Sequence, residues 1–312
     1  MDGLDSNNKN NLKLAIFKAV VWFDLFDYPL TAYEIWQYLP FKIPLAELIF
    51  FLKSGSSKES TKTVWAEKNG FYFLPGRDSL LSVRQDRYNQ TDRKFKIALR
   101  VTACFRFLPF VRLVAVANLI GSHNLRQGSD IDLFIIASPK RLWLARFFCA
   151  GLAKVLNLRP NKKTKQDKIC LSFYVSEDRL NLEDLRLDDN DFYFNHWLAG
   201  LIPIYDQGGV YEEFCQANAW LKAIFPNLIW PDNHPRRQKT ARHLFSDSRF
   251  FDSWERIAHA WQLKILPAAL KELANQDSRV IVNNEVIKLY LVDRRAELKD
   301  KFLEKLKIYE SA

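Results

Sequence analysis

Residues 111–137 read VRLVAVANLIGSHNLRQGSDIDLFIIA. This stretch begins with an apolar segment, Val111–Ala117, continues through a polar loop, and ends in a second apolar segment, Ile131–Ile136. Short apolar runs bounded by Gly, Ser and Asn predict two buried strands joined by a loop. Two carboxylates, Asp130 and Asp132, stand where the loop meets the second strand.

The two carboxylates are expected to share one face of the second strand, because side chains two residues apart in a strand point the same way. Anions held side by side at the mouth of an apolar strand repel each other and lose hydration, which is costly unless a cation lies between them. Oxygen ligands suit Mg²⁺, with substrate phosphates completing its shell. Asp130 and Asp132, the carboxylate pair, are therefore predicted metal ligands.

An apolar strand, a Gly/Ser loop and the run Ser-Asp-Ile-Asp-Leu-Phe-Ile-Ile at residues 129–136 resemble the polymerase-beta-like nucleotidyltransferase superfamily, especially its small bacterial members. In that superfamily an apolar strand is followed by a Gly-Ser or Gly-Gly pair, a loop of roughly ten residues and the pattern Asp-apolar-Asp-apolar. The resemblance covers about residues 95–180 and implies a mixed-sheet nucleotidyltransferase core.

The phosphate-binding half of the pattern leaves two alternatives open. Gly121 and Ser122 stand closer to Asp130 than the family spacing requires, whereas the usual spacing falls on Asn118 and Leu119. Either the loop is shortened, or the Gly-Ser pair has been replaced. The residues that the resemblance assigns to nucleotide binding are Asn118, Gly121, Ser122, Gly128 and Ser129.

The resemblance also implies a reaction, in which a hydroxyl attacks the α-phosphorus of a nucleoside triphosphate and pyrophosphate leaves. The resemblance makes Asp130 and Asp132 the catalytic residues, which would hold Mg²⁺ against the phosphates. Members of the family carry a third carboxylate on a later strand, as general base and shared metal ligand. The predicted third strand, Ile169–Val175, has Ser172 at the position we consider equivalent, and Glu177 and Asp178 follow its end.

The expected partners are a nucleoside triphosphate and a hydroxyl acceptor, either a small molecule or a protein, and nucleic acid is a further possible partner. The missing third acid favours an alternative, a catalytically degenerate regulator that senses nucleotide or associates with DNA. An antitoxin-like partner protein is another alternative.

Composition adds broad limits on the class of protein. The chain has 312 residues and a formal net charge of +10, which favours anionic partners. Its four cysteines are widely spaced in apolar contexts, as expected of reduced thiols in a cytoplasmic protein. The amino end lacks the apolar core of a signal peptide, and no uncharged run is long enough for a membrane span.

The N-terminal part predicts a winged-helix-like domain over residues 1–82. Two helices within 11–38 and a third over Ile43–Leu52 precede two short strands, Thr63–Glu67 and Phe71–Leu74, joined at an Asn-Gly hairpin. The third helix is almost entirely apolar, so protein packing is favoured over reading of DNA bases.

A basic helix is predicted over residues 83–107, and a second helix over Lys140–Leu156. The basic side chains of the first helix are interpreted as a solvated face beside a core stripe. A cationic wall near the nucleotide phosphates is the alternative.

The remainder of the chain is predicted to be mostly helical, with one helix over residues 191–206 and a short strand at Arg279–Val282. The predicted fold is α+β. Its domains are a winged-helix-like domain at residues 1–82, a nucleotidyltransferase core at 83–180, and a helical domain at 181–312.

Overall fold

The computed structural model describes residues 6–55, 64–161, 164–231 and 249–310. They form a mixed sheet and a smaller antiparallel sheet surrounded by helices, which confirms the predicted α+β class. Within these ranges no helix combines the length and the apolar character that crossing a bilayer requires.

The N-terminal part consists of helices and a small three-stranded sheet. Its elements are α1 (Ser6–Asp24), β1 (Leu30–Thr31), α2 (Ala32–Gln37), α3 (Leu45–Gly55), β2 (Ala66–Lys68) and β3 (Phe71–Phe73). Strand β3 lies between β1 and β2 and is antiparallel to both. Helix α2 begins at a capping box in which Thr31 and Glu34 bond each other's backbone N–H groups. The predicted hairpin is confirmed, although Thr63 lies outside the described residues.

A six-stranded mixed sheet forms the centre of the molecule. Its strands are β4 (Val111–Val116), β5 (Ile131–Ala137), β6 (Ile169–Ser176), β7 (Ile202–Asp206), β8 (Val280–Val282) and β9 (Val286–Leu289). Their spatial order is β7-β4-β5-β6-β9-β8. Strands β5 and β6 are parallel, and every other neighbouring pair is antiparallel. The predicted strands on either side of the polar loop are therefore confirmed and are neighbours.

Helices cover both faces of this sheet. They are α4 (Leu80–Phe105), α5 (Leu142–Val155), α6 (Phe192–Ala199), α7 (Val210–Ala217), α8 (Leu221–Ile224), α9 (Phe251–Ile265), α10 (Ala268–Leu273) and α11 (Arg295–Glu310). Alternate residues of β5 face opposite sides: Phe134 and Ile136 pack in one core with α1, α6 and α11, whereas Leu133 and Ile135 pack in the other with α4 and α5.

The segment after residue 180 contributes more strand than predicted. The helix predicted over residues 191–206 ends at Ala199, and Ile202–Asp206 forms β7 instead. Every residue of β7 is buried, so its sequence lacks the alternation that separates a strand from a buried helix. Strands β8 and β9 also join the sheet, and β9 has no counterpart among the predictions. The central sheet thus continues past the predicted boundary at residue 180.

Candidate active site

The carboxylate pair lies at the start of β5, on the sheet face that packs toward α1, α6 and α11. Asp132 is the second residue of the strand and is only 8% exposed, whereas Asp130 immediately precedes the strand and is half-buried. An oxygen of each carboxylate and the Cys170 Sγ all lie within 4.8 Å of one another. The predicted proximity of the two carboxylates is therefore confirmed, and a thiol lies beside them.

Asn118 orients the Asp132 carboxylate. Its Nδ2 donates a hydrogen bond to Asp132 Oδ2, and its own Oδ1 accepts one from the Tyr193 hydroxyl at 3.2 Å. Asn118 has a φ of +57°, a left-handed conformation that asparagine tolerates better than most residues. The amide predicted to bind triphosphate instead holds the Asp132 carboxylate in place.

The electrostatics of the pair favour an added cation. Burial, reinforced by the charge of Asp130, raises the pKa of Asp132 to about 6, although hydrogen bonds from Asn118 and Cys170 oppose the shift. Among the described residues, no lysine or arginine forms an ion pair with either carboxylate. Two neighbouring carboxylates without a protein cation are the arrangement that a divalent ion stabilises.

Cys170, and not Ser172, occupies the position beside the pair on the next strand. In the parallel ladder of β5 and β6, Asp132 is the register partner of Cys170. Ser172 lies farther along β6, and its Oγ is 2.9 Å from the Cys170 Sγ. The structure therefore brings Cys170, and not Ser172, into register with Asp132.

Glu177 does not supply a third carboxylate. Its two oxygens pair with the Arg112 guanidinium at 2.9 and 3.1 Å. It also follows the far end of β6, seven residues beyond Cys170, which is roughly 23 Å of extended chain. Asp178 is the next residue along and is exposed at the same end. Neither acid reaches the carboxylate pair, in contrast to the expectation that one could reach around.

Gly121 and Ser122 are packed against the N-terminal part of the chain. Gly121 has a φ of +77°, and a Cβ at this position would lie 2.5 Å from the Tyr28 ring. The Ser122 carbonyl accepts a hydrogen bond from the Tyr28 hydroxyl at 2.7 Å. Neither residue borders the cavity beside the carboxylate pair, and neither does Gly128, which is exposed.

Ser129 borders the cavity, and its position depends on the basic helix α4. Its carbonyl accepts a hydrogen bond from Lys94, a fully buried side chain that also pairs with Asp167 at 2.9 Å. Arg87 donates to Asn124 in the same loop at 2.8 Å. These basic groups of α4 support the loop, so they do not form the alternative cationic wall.

A cavity of about 590 Å³ opens beside the carboxylate pair. It lies between the sheet, the end of α1, and helices α6 and α11. Aromatic and cationic side chains that border it include Tyr193, Trp197, Tyr290, Lys288, Arg294 and Lys301. An anion with an aromatic or apolar portion suits such a lining.

Lys288 and Arg295 are the two buried cations that border the cavity, each with only 5% exposure. Burial, together with the charge of Arg295, lowers the pKa of Lys288 to about 8. Its ammonium donates to the Ser278 carbonyl at 2.6 Å and lies 3.7 Å from Asp293. The sequence analysis did not identify Lys288 because strand β9 was not predicted. The only signal in the sequence was the alternation of side chains along that strand, which could have indicated an inward-facing lysine.

Carboxylate oxygens, cations and aromatic rings border one cavity, and a thiol lies next to the carboxylates. Such a set can bind a divalent ion and an organic phosphate together. No family model, curated protein or solved structure matches this chain.

Proposed function

We propose that this protein binds a nucleoside triphosphate and a divalent cation, Mg²⁺ in the family that it resembles, and transfers the nucleoside monophosphate to a hydroxyl acceptor. The observation that carries this proposal is the carboxylate pair, which borders a cavity and forms no ion pair with any lysine or arginine that the structure describes. Asp130 and Asp132 would hold the ion. When bound, the ion would neutralise phosphate charge and orient the α-phosphorus for in-line attack.

The cations around the cavity support a phosphate ligand. Lys288 lies on the sheet and Lys301 on α11, while Arg294 immediately precedes that helix, so positive charge reaches the cavity from two directions. Arg294 and Lys301 both pair with Glu297, and both side chains are more than half exposed where they border the cavity. The volume of about 590 Å³ is within the usual range for small-molecule sites.

The topology is compatible with the resemblance in the sequence. The carboxylate pair lies at one end of the strands of a mixed sheet, where a loop joins the antiparallel strands β4 and β5. The N-terminal order of helix, strand, two helices and hairpin, with β3 central in its sheet, supports a winged-helix-like module. Helix α3 carries one acidic and one basic residue, Glu47 and Lys53, which favours packing over DNA recognition.

A second function, nucleotide sensing without turnover, is favoured by one specific observation. The position beside Asp132 on β6 holds Cys170, which offers a thiol where the family pattern has a carboxylate. A protonated thiol cannot serve as the general base for an attacking hydroxyl as a carboxylate can. A sensor would therefore still bind the nucleotide and the ion, but it would lack the general base that transfer requires.

Radiolabel transfer tests the two functions. The full chain is incubated with a nucleoside triphosphate labelled at the α-phosphate, together with Mg²⁺ or, in parallel, Zn²⁺ or Co²⁺. Nucleotide binding and label transfer to protein or added acceptors are both measured. Transferase activity predicts label transfer with pyrophosphate release, and Asp132→Asn should abolish both. Asp178→Asn, at the far end of β6, is the matched control. Nucleotide binding without label transfer would support the sensor. A wild type that neither binds the nucleotide nor transfers the label with any of these ions would contradict both functions.

A further inference from the structure

We infer that Cys170 completes a three-ligand metal site with Asp130 and Asp132, and that this site takes a thiophilic divalent cation of the Zn²⁺ and Co²⁺ class in preference to Mg²⁺. The inference rests on the proposed function only in that the same carboxylate pair holds an ion. It adds the third ligand and changes the identity of the ion.

The strand register brings the three donors together. Asp132 and Cys170 are partners in the parallel ladder of β5 and β6, and Asp130 precedes them at the same edge. Their donor atoms lie within 4.8 Å of one another. Tetrahedral ligation with metal–ligand distances of about 2.0–2.3 Å places donors roughly 3.3–3.8 Å apart, so donors at the 4.8 Å limit would move together by about 1 Å on binding.

A local irregularity in β6 keeps the thiol in register with Asp132. From one paired position to the next, β5 advances from Asp132 to Phe134, whereas β6 advances from Cys170 to Phe173, one residue more. Bulges of this kind often lie beside functional sites, where they re-aim a side chain. Beyond the irregularity Phe173 again faces Phe134, with ring centroids 5.3 Å apart. The packing of β5 against β6 in the core thus continues at Phe173, beyond the thiol.

The donor set decides which ion fits. Mg²⁺ is a hard ion that takes oxygen ligands in octahedral geometry, and it gains little from sulfur. A thiolate with two carboxylates instead suits Zn²⁺ or Co²⁺, which accept mixed sulfur and oxygen ligands. Three protein ligands leave a fourth position for water or a phosphate oxygen, as in catalytic zinc sites. Binding through sulfur releases the Cys170 thiol proton to solvent.

A Co²⁺ titration of the full chain tests the sulfur ligand directly. Co²⁺ alone is added, and its absorption spectrum is recorded, because a cobalt–thiolate bond produces a charge-transfer band that oxygen ligands do not. We expect this band at one equivalent, displacement of the band by Zn²⁺, and no displacement by excess Mg²⁺. Cys170→Ser should lose the band, while Cys104→Ser, an exposed thiol elsewhere, should keep it.

A second variant covers the case in which Cys170→Ser fails to fold. Cys170→Asp supplies a third carboxylate, and we expect it to lose the charge-transfer band and to bind Mg²⁺ at least about tenfold more tightly than the wild type. Thermal unfolding with and without each ion reports both folding and binding.

The outcomes separate this inference from the proposed function. Co²⁺ bound by the wild type without a charge-transfer band would overturn the sulfur ligand and leave the carboxylate pair as an ion site. A folded wild type that binds neither Co²⁺ nor Mg²⁺, with or without nucleoside triphosphate, would overturn both.

Discussion

Two acids border the same cavity in opposite electrostatic states. Although burial favours the neutral form of Asp293, hydrogen bonds and charge from Arg295 hold the pKa of this carboxyl at about 2. At Asp132, burial and the charge of Asp130 act in the same direction and raise the pKa to about 6. The charge of Asp293 is paired with Arg295 within the protein, whereas Asp132 receives hydrogen bonds from Asn118 and Cys170 and forms no ion pair with a described residue. This contrast separates an acid with a structural role from an acid that the proposed function assigns to ion binding.

The largest expected effect is that of Asp132→Asn, which removes the charge of Asp132 and with it the difference between the two acids. We expect Asp132→Asn to reduce nucleotidyl transfer about 1000-fold, equivalent to roughly 4 kcal/mol, because the ion loses a ligand. The same change should raise the free energy of unfolding without ions by about 1 kcal/mol, because it removes the repulsion with Asp130. Label transfer and denaturant unfolding measure the two effects. A variant that is both inactive and less stable would contradict this explanation.

A buried histidine gives a third case to compare with the two acids, because burial, and not a neighbouring acid, shifts its pKa. Burial lowers the pKa of His196 from 6.5 to about 4, despite a hydrogen bond to the Phe192 carbonyl. The folded state keeps this ring neutral while the unfolded state protonates, so stability is complete above pH 6.5 and declines as the pH falls toward 4. The decline should be about 3 kcal/mol. The rings that surround His196 are Trp22, Phe23, Tyr38 and Phe225.

His196→Phe is the variant that isolates this contribution. It retains an aromatic ring in the cluster and removes the titrating group, so the acid-dependent part of the unfolding free energy should shrink by most of that amount. Denaturant unfolding at neutral and acidic pH measures the difference. An unchanged pH dependence in a folded variant would contradict the assignment.

Asp293→Asn tests the other acid. Its overall effect should be smaller than that of Asp132→Asn, and it should lower the free energy of unfolding, which Asp132→Asn should raise. Arg295 would lose the charge partner at 2.7 Å and keep only Asp191, at 2.8 Å, as an acidic partner. We expect the free energy of unfolding to fall by about 2 kcal/mol, because a buried guanidinium is left only partly compensated. Divalent-ion affinity should change little. A loss of ion binding as large as that of Asp132→Asn would show that Asp293 is itself a ligand.

The smallest expected effect concerns Lys288, one of the two buried cations that border the cavity. Lys288→Met should weaken nucleoside triphosphate binding about tenfold, or roughly 1.4 kcal/mol, because one charged contact to phosphate is lost. Since the pKa of Lys288 is lowered to about 8, wild-type affinity should also decline above that pH, and the variant should not show this decline. Calorimetric titration at several pH values measures both. Lys264→Met, an exposed lysine on α9, is the control.

The local parts of the site could be predicted from the sequence. Two acids spaced by one residue at the start of an apolar run must share a face if the run is a strand, and they do. The capping box at Thr31 and the Asn-Gly hairpin are likewise short-range patterns whose geometry depends on neighbouring residues alone. In contrast, Gly121 and Ser122 matched a motif by type and lie instead against Tyr28, a residue distant in the chain.

By itself, the sequence of residues 111–137 determined that two strands flank a polar loop and that Asp130 and Asp132 share one face, since strand alternation is a property of the backbone. Only the tertiary structure decided which groups meet them. Cys170 became the neighbour of Asp132 through the parallel register of β5 and β6, and Lys288 reached the cavity because β9 joined the same sheet. Pairing between strands distant in sequence depends on packing of the whole core, and no local pattern encodes it.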